Sequence, residues 1–246
     1  MRIMLKGIGV EKRFGGLTAV TSLDFEIFDG EIVGMIGPNG SGKTTLFNLI
    51  SGLFKLDKGA IDFQGFRISG LPPYKVAKLG IGRTFQIVRP LMELSLLENV
   101  TTAVLYGSSG LHKVDVARDM AMNILKFTGL DSKFRNFPGE LGIEGRKRLE
   151  IARALGSKPK ILLLDEVFAG MNSKEIEGAI ELTFRIRDEY RITVFMIEHV
   201  MKAIMTACDR VIALRHGVKI ADGTPEQVAN DPEVIRAYLG ESYAKN

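Results

Sequence analysis

Ile32-Val33-Gly34-Met35-Ile36 runs directly into Gly37-Pro38-Asn39-Gly40-Ser41-Gly42-Lys43-Thr44, and Thr45 to Ser51 follow as a helix candidate that Gly52 closes. Near-continuous apolarity from Ile32 to Ile36 suits a strand buried on both faces, as in a parallel sheet covered by helices. The residues from Gly37 to Thr44 fit G-x-x-x-x-G-K-[ST]. In that pattern glycines let successive backbone N–H groups point at phosphate oxygens, and the helix N-terminus adds a favourable dipole. Lys43 brings a cation to the phosphates, and Thr44 brings a hydroxyl to a magnesium ion. Strand, glycine loop and helix stand in the order that this chemistry requires.

Outward from that loop, Ile161-Leu162-Leu163-Leu164, Thr193-Val194-Phe195-Met196-Ile197 and Arg210-Val211-Ile212-Ala213-Leu214 have the same short, apolar character. Helix candidates such as Lys147 to Leu155 and Lys174 to Tyr190 lie between them, so the class is α/β. Residues 1–30 and about 59–68 read instead as short alternating strands, among them Leu23-Asp24-Phe25-Glu26-Ile27 and Gly59-Ala60-Ile61-Asp62-Phe63. They predict an antiparallel sheet beside the main one. Residues about 88–145 contain no convincing buried strand and read as a helical insertion. Near the C-terminus, Asp231-Pro232-Glu233 predicts a helix start, with Val234, Ile235, Tyr238 and Leu239 as a packing stripe.

Composition limits the function classes. The chain has 246 residues, 46% hydrophobic and 25% charged, which is ordinary for a globular protein. A net charge of +4 without any block of like charges permits nucleic acid as a partner but does not indicate it. The lone Cys208 cannot form an internal disulfide or a thiolate metal cluster, and suits a reducing cytosol. There is no signal-peptide pattern after Met1, and no apolar run approaches the roughly 18 residues needed to cross a bilayer. An integral membrane protein or a signal-bearing secreted one is therefore not expected.

Leu162-Leu163-Leu164-Asp165-Glu166 ends a second buried-strand candidate in two acids. Asp165 can hold Mg²⁺ through water, and Glu166 can polarise an attacking water as general base. These are the Walker A and Walker B arrangements, and nearly end to end the chain resembles the nucleotide-binding subunit of an ABC transporter. The resemblance implies a P-loop NTPase (RecA-like) core with an antiparallel β-subdomain and an inserted helical subdomain. All of 1–246 then forms one nucleotide-binding domain, about 1–87 and 156–246 as core plus antiparallel sheet and about 88–155 as helical subdomain. It also implies ATP and Mg²⁺ as cofactors, with ATP contacts from Gly37, Pro38, Asn39, Gly40, Ser41, Gly42, Lys43, Thr44 and Thr45.

Other motifs carry the resemblance further. Arg83-Thr84-Phe85-Gln86 is similar to the Q-loop, which places Gln86 on Mg²⁺ and the hydrolytic water beside Thr44 and Asp165. Ile197-Glu198-His199 is similar to the switch region, with His199 on the γ-phosphate; His112 and His216 keep an ordinary structural reading. Phe14 stands where the family stacks an aromatic on adenine, with Val20 packing nearby; a core phenylalanine is the competing reading of Phe14. Within the family the likeness is to ATPases of branched-chain amino-acid importers. It rests on Phe14-Gly15-Gly16-Leu17, Gly82-Arg83-Thr84-Phe85-Gln86, Leu97-Glu98-Asn99-Val100, Ala169-Gly170-Met171-Asn172, Ile197-Glu198-His199 and Pro232 to Gly240. The implied partners are transmembrane permease subunits and a second ATP-binding subunit, with no nucleic acid, at the cytoplasmic face of the cell membrane. Ile87 to Leu94 would line a groove for a permease helix, or belong to the core of the helical part. A lipid or lipopolysaccharide exporter ATPase, a soluble ABC ATPase and a low-turnover regulatory subunit are the rival readings.

One motif departs from the family. Where the signature L-S-G-G-Q is expected, the chain reads Leu141-Gly142-Ile143-Glu144-Gly145 before Arg148-Leu149-Glu150-Ile151-Ala152-Arg153-Ala154-Leu155. Loss of the serine hydroxyl removes a hydrogen bond to phosphate worth roughly 1.5–3 kcal/mol. An inward-pointing Glu144 would oppose the γ-phosphate by about 4 kcal/mol per charge pair at an effective dielectric of 20, unless Arg146 and Lys147 screen it. Asn172 also replaces a common aspartate, and Val167 a common proline. Because the family sandwiches each ATP between one subunit's Walker A and its partner's signature, the expectation is a heterodimer with a normal-signature paralogue.

Overall fold

The computed structural model describes residues 2–85, 90–108 and 113–239. Strands β1 (Ile3–Phe14) and β2 (Leu17–Phe28) form a long antiparallel pair. They are 12 residues each, not the short strands expected, because register shifts absorb the breaks in alternation without ending the ladder. The apolar run β3 (Ile32–Ile36) leads through the glycine loop into α1 (Lys43–Ile50). β4 (Lys58–Phe63) and β5 (Phe66–Arg67) complete the antiparallel sheet in the order β2-β1-β4-β5.

α2 (Pro73–Leu79) and the short β6 (Ile81–Arg83) precede three helices: α3 (Leu96–Tyr106), α4 (Val114–Phe127) and α5 (Ile143–Gly156). Ser95 and Glu98 satisfy the start of α3 as a reciprocal capping box. α5 begins four residues before the expected Lys147, since the altered signature itself forms its first turn. β7 (Ile161–Asp165), α6 (Ser173–Tyr190), β8 (Thr193–Ile197), α7 (Met201–Ala207) and β9 (Arg210–Arg215) follow. β10 (Val218–Gly223), α8 (Pro225–Ala229) and α9 (Pro232–Leu239) close the described chain.

The second sheet runs β10-β9-β3-β8-β7-β6, parallel except for the β9–β10 hairpin. All four apolar runs read from sequence lie in it, and its two outermost strands, β6 and β10, carried too little apolarity to be found. Period-2 geometry divides each central strand between two cores. Ile32, Ile36, Leu162 and Leu164 face the core shared with α3 to α7, whereas Val33, Met35, Ile161 and Leu163 face the core shared with α1 and the antiparallel sheet. Fully burying each such side chain stabilises the fold by about 1.5–3 kcal/mol, so the sheet is a rigid platform. The C-terminal ends of β3, β7 and β8 then present Gly37, Glu166 and Glu198-His199 along one edge, where ligands of open α/β sheets bind.

Candidate functional site

The glycine loop sits at the mouth of a cleft of about 410 Å³. Gly42 adopts a left-handed conformation (φ 103°), and a β-carbon there would collide with the Ala19 carbonyl oxygen. That turn lets α1 start at Lys43, two residues earlier than the sequence suggested, so Thr44 and Thr45 lie in its first turn with their N–H groups unclaimed by the helix. No acidic residue occupies this turn. The Lys43 ammonium donates to the carbonyls of Gly37 (2.7 Å) and Pro38 (3.1 Å) and to Ser41 Oγ (3.4 Å). Burial lowers its pKa, opposed by the longer-range charges of Glu166 and Asp165. A cation so held, beside a helix N-terminus, suits a polyphosphate.

Asn39, Gly40, Ser41, Gly42, Lys43, Thr44 and Thr45 all line the cleft. Gly37 and Pro38 do not; Gly37 lies behind, where a β-carbon would collide with the Leu214 carbonyl oxygen. Val20 is a correction of the same kind: fully buried, it packs behind Gly42 and supports the loop instead of facing the cleft. Phe14 is 43% exposed, lines the cleft and meets Phe54 edge-to-face at 5.3 Å, so it is not a core residue. The Lys12 ammonium lies over its ring, 5.3 Å from the centroid.

Glu166 and His199 enter the same cleft from the ends of β7 and β8. His199 Nε2 donates to Glu166 Oε1 at 3.0 Å. Glu166 itself is left-handed (φ 51°), a conformation that costs a non-glycine residue and persists only where neighbours impose it. Its N–H donates to the Ile197 carbonyl at 2.9 Å, and its carbonyl accepts from Lys147 Nζ at 2.9 Å. Of the expected catalytic residues, Gln86 lies outside the described residues; so does His112, which was given only a structural reading.

Asp165 does not face Lys43's cleft. It lines an adjoining groove of about 860 Å³, which Thr44 also touches. There Arg83 donates to Asp165 Oδ2 at 2.9 Å, and also to Asn48 Oδ1 and Ser51 Oγ, both at 2.8 Å. Desolvation raises the Asp165 pKa, and the Arg83 guanidinium pulls it back. Asp165 Oδ1, buried, has no hydrogen-bond partner. An orphaned carboxylate oxygen in a groove that Thr44 also lines fits a hard cation. Among the described residues no group of three or more His, Cys, Asp or Glu could hold a metal by itself.

Several contributors went unread in the sequence. His216 was expected to be purely structural, yet its left-handed turn (φ 50°) lines the cleft, and the next residue donates from Gly217 N–H to the Ser41 carbonyl. Its only signal was a His-Gly pair between two apolar runs. Tyr238 does more than pack: its hydroxyl accepts from the Gly37 N–H at 2.7 Å. Asn99, fully buried, clamps the segment before α3 by donating to the carbonyls of Leu91, Leu94 and Ser95.

The altered signature opens a separate pocket, of about 650 Å³, lined by Gly142, Ile143, Glu144 and Gly145 together with Gly170. Glu144 stands in the first turn of α5, where its carboxylate pairs with Arg148 Nε at 2.7 Å. The expected screening by Arg146 and Lys147 is corrected: Arg146 donates to the carbonyls of Pro138 and Gly139, and Lys147 to Glu166. The i, i+4 spacing puts Arg148 on Glu144's face of the helix, and the other two point elsewhere.

A phosphate loop between β3 and α1, with a glutamate and a histidine converging on it from neighbouring strand ends, defines a P-loop nucleotide-binding protein. The family profile "ABC transporter" matches residues 20–169, and the profile "Branched-chain amino acid ATP-binding cassette transporter" matches residues 218–244. The chain is 39% identical to the high-affinity branched-chain amino acid transport ATP-binding protein BraF of Pseudomonas aeruginosa, over 98% of this chain and 99% of that protein. It is also 39% identical to LivG of Escherichia coli, with the same description, over 95% and 96% of the two chains. Among solved structures, an ATP-binding cassette of an ABC transporter superposes with a TM-score of 0.89 at 29% identity, covering 98% of this chain and all of that one. The ADP conformation of such a cassette gives 0.86 at 28% identity, over 98% and 100% of the two chains. This chain belongs to the ABC transporter family of ATP-binding cassettes. It is a nucleotide-binding ATPase, and no described helix is long and apolar enough to cross a membrane.

Proposed function

We propose that this chain is the ATP-hydrolysing subunit of an importer of branched-chain amino acids, seated on permease subunits at the cytoplasmic face of the membrane. The observation that carries the hydrolytic role is the Glu166–His199 contact at 3.0 Å inside the cleft that also holds Lys43. In this reading Lys43 and the first-turn N–H groups of α1 bind the β- and γ-phosphates, and Phe14 stacks on the adenine. Glu166 accepts a proton from the attacking water, while His199 fixes the carboxylate's orientation and contacts the γ-phosphate. Thr44 and Asp165, with Gln86, would hold Mg²⁺, which would supply positive charge to neutralise the phosphates. Arg83 competes for Asp165, so it keeps that buried carboxylate compensated whenever no cation is bound. The importer assignment is supported by the match of residues 218–244 and by the named relatives.

The groove beside Asp165 exposes Leu53 and Phe85 at 46% and 44%, and Leu91 and Met92 nearer α3 are exposed at 41% and 51%. Such apolar surface supports the docking of a permease helix over the core reading of Leu91 and Met92. Residues 87–89 of that segment lie outside the described residues. We further infer a heterodimer with a normal-signature paralogue, because Glu144 places a carboxylate in the turn that would face the partner's nucleotide. A domain division near residues 88 and 155 fits the grouping of α3, α4 and most of α5.

Co-purification tests the assembly: a tagged chain should bring down a multispanning permease and a second ATP-binding subunit. In that complex Glu166→Gln should abolish most turnover while ATP still binds. Unchanged turnover would remove the assigned role of Glu166, and a chain that hardly hydrolyses ATP in any assembly would favour a regulatory subunit.

A further inference from the structure

We propose that Glu198 is a positioning residue for hydrolysis: its carboxylate ties the turn after Glu166 to the switch loop, and so sets the Glu166–His199 geometry. Glu198 is 1% exposed, yet no ion pair to it is found among the described residues. Its Oε1 accepts from the Phe168 N–H at 2.9 Å, and Glu198 itself stands on the switch loop immediately before His199. Phe168 is fully buried, two residues beyond Glu166 on the loop that continues to Gly170 and Asn172. One side chain thus bridges the backbones of both loops that carry the reacting pair.

Three restraints converge on that pair. The end of β8 holds Glu166 through its N–H, Lys147 holds it through its carbonyl, and Glu198 holds the following turn. Without the third, the left-handed Glu166 can relax toward an ordinary conformation and swing its carboxylate away from His199. A buried carboxylate is a costly way to fill space, and an apolar side chain would pack there without desolvation. What an apolar side chain lacks is an acceptor for the Phe168 N–H. Burial shifts Glu198 toward its neutral form, pushing its pKa up to about 7, with the hydrogen bond from the Phe168 N–H opposing the shift. The acceptor role survives in either form, since a protonated carboxyl still offers its carbonyl oxygen.

The inference rests on Glu166 as general base, and its test separates the two. In the complex purified with its partner subunits, Glu198→Met keeps an unbranched side chain but removes the acceptor, whereas Glu198→Gln retains one. Glu198→Met is expected to lower kcat about tenfold or more, with KM for ATP within about twofold, because a displaced base costs chemistry and not binding. Glu198→Gln is expected to recover most of that loss. Equal losses in both variants, no loss in Glu198→Met, or a loss carried by KM overturns the proposal. Amide hydrogen exchange on the wild-type chain gives a reading that needs no variant to fold. The Phe168 amide should be protected like the sheet core, and exchange at the rate of an open loop also overturns the tether. That measurement stands whether or not Glu166→Gln abolishes turnover.

Discussion

Two helices of this molecule begin on a glycine and aim their N-termini at open pockets, yet they are not equivalent. α1 follows Gly42 with no acid in its first turn, and it leads with Lys43. α5 follows Gly142 and carries Glu144 in its first turn. An anion is welcomed by the first dipole and confronted by a resident carboxylate at the second. The pairing of Glu144 with Arg148 moderates that contrast, since the anion near α5 already has a counter-ion. On the proposed reading, the phosphate loop is a complete half of a nucleotide site and the signature end a compromised one.

The largest effect belongs to the complete half. Glu166→Gln should reduce ATP turnover of the assembled transporter by at least about 100-fold, read as phosphate release, while nucleotide binding by fluorescence is retained. Glu198 adds a pH dependence to the same half. Its folded pKa of about 7 lies above the ordinary 4.5, so the native state binds the proton more tightly than the unfolded chain does. Stability is therefore greatest at low pH in this respect, and it declines as pH rises from about 4.5 to about 7. The decline amounts to about 3 kcal/mol from this group. Glu166 and Cys208 face it as acids from the ends of β7 and α7, and Lys147 as a cation from α5. Urea unfolding of Glu198→Gln across that range should lack this component of the slope.

At the compromised half, Glu144→Gly should strengthen ATP-driven association of two copies about tenfold, measured by analytical ultracentrifugation. Arg148→Ala, which leaves Glu144 unpaired, should weaken it. Opposite signs, or no change in either variant, would erase the distinction between the two helix ends. The smallest effect is expected at Tyr238→Phe. Loss of its bond to Gly37 should weaken ATP binding by about threefold to tenfold, as for one hydrogen bond of roughly 1 kcal/mol.

Legibility in the sequence followed physical scale. Ile32–Ile36, Ile161–Asp165 and Thr193–Ile197 are buried on both faces, so their apolarity alone announced a covered parallel sheet. The phosphate loop was legible because its glycines and Lys43 act locally, within one turn of chain. β6 and β10 were missed because edge strands need little apolarity, and β1 and β2 looked broken because bulges disturb alternation. Side chains that act across the fold left no local trace. Nothing near Arg83 in sequence points to Asp165, and nothing near Tyr238 points to Gly37. Glu144's partner was misassigned for a related reason: Arg146, Lys147 and Arg148 look alike in a string, and only helical spacing selects the last.

The most direct measurement compares steady-state ATP hydrolysis by this chain alone with hydrolysis by the chain assembled with the proposed second ATP-binding subunit. If the chain contributes one complete half-site and one compromised signature, the chain alone should turn over at least about tenfold more slowly and without cooperativity in ATP. Cooperative hydrolysis by the chain alone, at the rate of the assembled pair, would contradict the unequal-pair account.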